Sequence, residues 1–166
     1  MKLKLRLAEE TDAEFVFSVT QDKEYKKFVM PRLRAKDLED QKKKIRSYLA
    51  QSKKQQRFYY LILSNNEKAG IIYLYNINKD DKRCSVGYGI SKEFRGKGIG
   101  AKAVKLALDF AKKELQFHAC EATVDPKNQP SKKVLEKNGF KSIGTIKEYT
   151  IINGKYKDRE IYWKLI

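Results

Sequence analysis

The stretch "RGKGIG", Arg95 to Gly100, sets three glycines at alternate positions beside an arginine and a lysine. Directly behind it, Ala103, Val104, Ala107, Leu108, Ala111 and Leu115 recur on one helical face. In front of it, "CSVGYGI" (Cys84 to Ile90) reads as a strand. A glycine turn between a strand and a helix N-terminus is suited to bind phosphate. Its backbone N–H groups point outward, glycine allows close approach, and the helix dipole favours negative charge. Arg95 and Lys97 are expected to add mobile positive charge. A plain turn is the alternative, but one glycine suffices for that and there are three. Two well-known phosphate motifs are poor matches. Lys102 stands between Ala101 and Ala103, so the P-loop sequence is absent. Gly96, Gly98 and Ala101 satisfy the letters of the dinucleotide fingerprint, but "SKEFR" separates them from the strand, and too little chain follows for a second mononucleotide half.

Other candidate chemistry is sparser. Cys84, Cys120 and the single His118 form no zinc set, which needs about four ligands in paired spacing, so the cysteines read as reduced, partly buried thiols. No metal is expected. Acidic clusters at Glu9–Glu14 and Asp37–Asp40 could line a groove for a polycation, or could be helix N-terminal charges matched to the dipole. Lys and Arg outnumber Asp and Glu 37 to 21, a formal charge of +16. Such a surface attracts polyanions, yet the excess is spread along the chain. Nucleic acid is therefore not the expected partner, and solvated lysine-rich faces or thermostability account for the charge as well.

The elements that must position the glycine loop follow from period and punctuation. Lys2–Ala8 alternates Leu with Lys and Arg, a half-buried strand. Thr11 and Glu14 have the spacing of a capping box, opening a helix to about Thr20. Gln21–Lys36 is a loop or broken helix around Pro31, and Asp37 caps a helix to about Ser52 that buries Leu38, Ile45, Tyr48 and Leu49. Strands at Arg57–Ser64, "AGIIYLYNI" and Cys84–Ile90 are joined by short turns, an antiparallel meander. After the long helix come a strand at His118–Val124, a short helix with Pro130 in its first turn and Gly139 at its end, and two closing strands joined at Asn153-Gly154. The predicted class is α+β (mixed α/β): a central mixed, mostly antiparallel twisted sheet of about seven strands with about four helices. No repeat or linker interrupts residues 1–166, which read as one domain. No apolar run approaches the roughly 18 residues that span a bilayer, and "MKLKLRLAEE" has no apolar core of a secretory signal, so a cytoplasmic location away from membranes is expected.

Several pieces resemble the GNAT acyltransferase superfamily. "RGKGIG" fits its R/Q-x-x-G-x-G/A loop, "NQPSKKVLEKNGF" its second motif N-x-x-S-x-x-V-L-E-K-x-G-F, and "INGKYKDREIYWKL" its ending. Together they resemble the branch holding the ribosomal-protein-alanine N-acetyltransferases and related small-amine acetyltransferases. The resemblance implies acetyl-CoA as co-substrate and direct transfer of the acetyl group to an amine without a metal. It implies that the backbone of Arg95, Gly96, Lys97, Gly98, Ile99 and Gly100 holds the pyrophosphate. Gly89 and Ile90 would pair with pantetheine and offer an N–H to the thioester oxygen, where two parallel strands splay. Asn128 would bind the pantetheine amide and Ser131 would serve the departing thiolate as acid, although either residue could simply cap the short helix. Many members carry a tyrosine acid where this chain has Leu135. For the base, the resemblance points to Glu148. Gly87 and Gly89 fit a bulge or close approach, or equally a strand packed under a large neighbour. The acceptor is expected to be a protein N-terminal amine, with a polyamine or other small amine as the alternative, and specificity is expected in Gln21–Lys36 and Tyr149–Tyr156. A CoA-binding module without catalysis is a further alternative, and a homodimer is compatible with all of these.

Overall fold

The computed structural model describes residues 2–166. The strands are β1 (Leu3–Leu7), β2 (Phe58–Ser64), β3 (Glu67–Asn78), β4 (Arg83–Ile90), β5 (Ala119–Val124), β6 (Lys141–Ile152) and β7 (Lys155–Leu165). The helices are α1 (Ala13–Gln21), α2 (Lys23–Phe28), α3 (Leu38–Lys53), α4 (Ile99–Lys113) and α5 (Gln129–Lys137). One sheet contains all seven strands in the order β1-β2-β3-β4-β5-β7-β6. This is the expected mixed, mostly antiparallel sheet; the broken helix at Gln21–Lys36 resolves into α2 and a 3-10 turn at Pro31–Leu33.

Each sheet face buries its own helices. On one side α4 and α5 cover Ile72, Leu74, Val86, Cys120, Ala122, Val124 and Tyr162, with Ala103, Val104, Ala107 and Ala111 as the buried stripe of α4. On the other side α1 and α3 cover Tyr59, Leu61 and Ile71 through Val16, Val19 and Ile45. The small residues on α4 let it lie close to the sheet, which places its N-terminus at the end of β4.

Two local expectations are corrected. The cap before α1 is made by Glu9 and Asp12, not by Thr11 and Glu14: Asp12 accepts the Glu9 N–H at 2.8 Å. Asp12 is buried between Arg6 and Lys68, which makes it the better acceptor. Leu38 remains 37% exposed because it is the first residue of α3, one turn short of the buried face. Asp37 does cap α3, accepting the Asp40 N–H at 2.8 Å.

The feature that makes a site is the one parallel pairing. β4 and β5 are in register only at Arg83–Ala119, Cys84–Cys120 and Ser85–Glu121. Beyond that the strands continue to Ile90 and Val124 without bonding to each other, so a cleft opens between them. Cys84 and Cys120 stand opposite one another at its base, buried and free, with Sγ atoms 3.9 Å apart. The contact with Cys84 and then burial push the Cys120 thiol well above its ordinary range.

Candidate active site

The glycine loop sits at the open end of the cleft. Gly98 is the N-cap of α4 in the left-handed region (φ 74°), and Gly96 has the same φ. Residues with a Cβ rarely adopt that conformation, which is why the sequence has glycine there. A Cβ at either position would meet no atom within 4 Å, so the loop surface is open. Gly100 instead packs against α5, where a Cβ would lie 3.4 Å from Val134. The N–H groups of Gly96, Lys97 and Gly98 have no backbone partner among the described residues, and no side chain caps α4. A 15-residue helix thus presents an uncapped N-terminus beside unpaired donors, a fit for a pyrophosphate. Ile99 and Gly100 are buried in the first turn.

The charge beside the loop is arranged differently from expectation. Arg95 is held by two contacts. Its Nε donates to the Ile90 carbonyl at 3.0 Å and its guanidinium pairs with Asp22. Asp22 is also the N-cap of α2, accepting from the Glu24 and Tyr25 N–H groups. Burial opposes ionisation of Asp22, but the Arg95 and backbone hydrogen bonds outweigh it and hold the carboxyl below its usual range. Arg95 therefore ties the loop to α2, while Lys97, without an ion pair among the described residues, places its Nζ 5.2 Å from the centre of the Phe94 ring.

Gly89 and Ile90 end β4, whose β5-facing edge has no strand partner past Ser85. Of the two readings of Gly87 and Gly89, packing beneath a large neighbour holds. A Cβ at Gly87 would lie 2.5 Å from the Tyr73 ring, and one at Gly89 2.6 Å from the Tyr25 ring. Their register with β3 is continuous, without a bulge.

Across the cleft, Asn128 caps α5, its Oδ1 accepting the Ser131 N–H at 3.2 Å. Its amide NH2 is left to point elsewhere. Ser131 Oγ lies 2.8 Å from the hydroxyl of Tyr88, which also reaches the Ser131 carbonyl at 3.2 Å. Burial pushes the Tyr88 phenol up to about 12, so it stays protonated at any physiological pH. Tyr88 was not singled out from sequence: only the "GYG" of β4 hints at it, and its partner lies 43 residues away. When Tyr88 donates to Ser131 Oγ, the serine proton is free to face the cleft.

Glu148 does not join this group. It sits in the irregular stretch of β6 between Ile146 and Thr150, with φ 51°, and is exposed. Its N–H donates to Asp158 at 3.0 Å, and it is not among the residues lining the cleft. The carboxylate that does line the cleft, Asp125, accepts the Lys127 N–H at 2.9 Å and faces Arg159 at 4.0 Å. The far wall comes from Phe28, Val29, Met30 and Leu33 in the expected specificity segment, with Tyr73 and Tyr75 of β3. A side pocket shares Leu33, Tyr73 and Tyr75 and adds Tyr25, Tyr48, Tyr59, Lys44 and Arg57, with no carboxylate.

The profile of the family described as "Acetyltransferase (GNAT) domain" matches residues 2–141. The chain belongs to the GNAT acetyltransferase family. Within it, the chain is 33% identical over 165 residues to a probable N-acetyltransferase, YjcK, of Bacillus subtilis, covering 95% of this chain and 90% of that protein. It is 31% identical over 99 residues to a spermidine N(1)-acetyltransferase of Escherichia coli, covering 60% of this chain and 53% of that protein. The fold is that of RimL, a ribosomal L7/L12 alpha-N-protein acetyltransferase solved with coenzyme A. There the TM-score is 0.92 at 23% identity over 100% of this chain and 95% of that one. As a GNAT N-acetyltransferase, the chain has an open glycine loop after β4, a splayed strand pair and a walled cleft beside β4 and β5. The acidic clusters are not part of it. Glu9 and Asp12 serve the cap before α1, Glu10 pairs with Arg46, and Asp37 and Asp40 bond backbone N–H groups at the start of α3.

Proposed function

We propose that the protein transfers the acetyl group of acetyl-CoA directly to a protein N-terminal amine. The observation that carries this reading is the charge of the acceptor end of the cleft. Its walls are mostly aromatic and aliphatic, its carboxylate Asp125 accepts the Lys127 N–H and faces the Arg159 guanidinium at 4.0 Å, and the adjoining side pocket bears Lys44 and Arg57. A polyamine would need unengaged carboxylates to replace its hydration, and a second cation there would repel it.

In this reading the N–H groups of Gly96 to Gly100 and the Lys97 side chain bind the pyrophosphate, while Arg95 acts by fixing the loop. The unpartnered edge of β4 at Gly89 and Ile90 bonds the pantetheine, and the Asn128 NH2 takes its carbonyl. Acetyl-CoA, when bound, supplies the activated thioester. An N–H at the end of β4 stabilises charge on the thioester oxygen. Ser131, hydrogen-bonded to the protonated Tyr88, offers its proton to the departing sulfur. With Glu148 outside the cleft, the amine loses its proton through water to solvent.

Thiol release from acetyl-CoA tests the acceptor. A tetrapeptide amide with a free N-terminal alanine is expected to give at least about tenfold higher kcat/KM than spermidine, a difference of about 1.4 kcal/mol. The reverse preference overturns the reading in favour of a polyamine enzyme. No turnover with either, together with tight CoA binding, favours a non-catalytic CoA module.

A further inference from the structure

Arg159 is a buried cation in the cleft wall with most of its donors unused. It is 3% exposed, lines the cleft, and belongs to β7. It lies on the sheet face away from Tyr162, where its NH2 group donates to the Phe28 carbonyl at 2.7 Å. Its NH1 group stands 4.0 Å from Asp125, beyond hydrogen-bond distance. Its Nε has no hydrogen-bond partner among the described residues. A guanidinium carries five N–H donors. Among the described residues one of them is used at hydrogen-bond distance, and the side chain is nearly fully buried. Leaving such a group short of acceptors is costly, and native structures rarely do so without a reason.

We infer that Arg159 forms an oxygen subsite for the acceptor: it receives a carbonyl or carboxylate oxygen located two bonds from the carbon bearing the reactive amine. This deepens the proposed function and rests on it. The first carbonyl of a peptide and the carboxylate of a free amino acid share this chemistry, whereas a polyamine has no such oxygen. Asp125 at 4.0 Å offsets part of the Arg159 charge without taking up its donors, so a neutral carbonyl suffices to complete the guanidinium. The placement fits. Phe28 and Arg159 hold the end of α2 to β7, on the sheet face opposite α4 and α5, so an oxygen bonded here belongs to the acceptor rather than to the phosphate end of the cofactor.

The same charge addresses deprotonation. Among the described residues lining the cleft the only carboxylate is Asp125, which accepts the Lys127 N–H and faces Arg159, yet the amine must attack as the free base. A desolvated cation a few ångströms from the bound amine lowers the amine pKa, so more of it is neutral at a given pH. No bond is made or broken by Arg159; it is a specificity and positioning residue.

The test compares four acceptors on the full chain: the alanine tetrapeptide amide, free alanine, isopropylamine and spermidine. Isopropylamine keeps the branched amine and lacks the oxygen. The wild type is expected to favour the peptide over isopropylamine by at least about tenfold in kcat/KM. In Arg159→Met that preference should collapse through a raised peptide KM, with CoA affinity by calorimetry within about twofold. The acidic limb of kcat against pH should also move to higher pH, because removing the cation raises the amine pKa. Arg159→Lys, which keeps the charge without the fork, should lose much of the preference and keep the acidic limb; it also serves if the Met variant does not fold. A peptide advantage assigns the subsite to a carbonyl; free alanine equal to or better than the peptide assigns it to a carboxylate and overturns the protein N-terminal acceptor in favour of a free amino acid. A peptide preference that survives Arg159→Met (or, if the Met variant does not fold, Arg159→Lys), or an equal loss of CoA affinity, overturns the inference and leaves the proposed function standing. Turnover of spermidine or isopropylamine alone, or of none of the four, overturns both.

Discussion

The two ends of the cleft are built in opposite ways. In the proposed reading the phosphate end is six consecutive residues, whose donors are backbone N–H groups with Gly96 and Gly98 at positive φ. In that reading the acceptor end is assembled from side chains of residues far apart in the chain: Phe28 and Leu33, Tyr73 and Tyr75, Asp125, and Arg159. A backbone site depends on conformation, so its sequence is constrained at the glycines and free elsewhere. A side-chain site depends on packing, so its chemistry can be altered one residue at a time. Within one family the first can stay fixed while the second changes acceptor.

Substitutions can test that contrast directly. The largest effect is expected from Gly98→Val. A β-branched residue at φ 74° costs about 1–3 kcal/mol and its Cβ projects into the open loop surface. CoA affinity by calorimetry should fall at least about tenfold while the acceptor KM stays put. Unchanged affinity would remove the loop assignment. Ser131→Ala should lower kcat by about threefold to tenfold with the fold intact, because a thiolate leaves readily without an acid. Tyr88→Phe should produce a similar drop. If the serine variant is slowed and the tyrosine variant is not, Tyr88 has no part in the proton path. Asp22→Ala probes a link between the two ends. It removes the cap of α2 and the partner of Arg95, with side chains 22% and 33% exposed, so the effect should be about two- to fivefold. Both KM values should rise; a change in only one would mean that the ends are independent. The smallest effect is expected from Glu148→Gln, which should leave kcat within about twofold across pH 6–9. A drop of a hundredfold or more would restore Glu148 as the base.

Much of the frame was legible because it is encoded locally. The stripe on α4, the Asn65-Asn66 and Asn153-Gly154 turns and the glycine loop each announce themselves within a few residues. The Thr11–Glu14 box had the right spacing, but Asp12 won because Arg6 and Lys68, from two other strands, neutralise it in burial. The site was half legible for the same reason. Asn128 and Ser131 lie in one short motif, whereas Tyr88 meets Ser131, and Arg159 meets Phe28, only through the fold, at separations of 43 and 131 residues. No periodicity carries such pairings, and a lone tyrosine or arginine in a strand pattern reads as ordinary sheet filling.

The two thiols at the base of the splay also make the enzyme a reporter of its own breathing. Cys84 and Cys120 sit at the last closed rungs between β4 and β5, shielded from water, and Cys120 ionises with difficulty. A thiol-reactive dye can reach them only when those rungs part. Labelling kinetics therefore count unzipping events at the vertex, and occupancy of the cleft above it should slow the count.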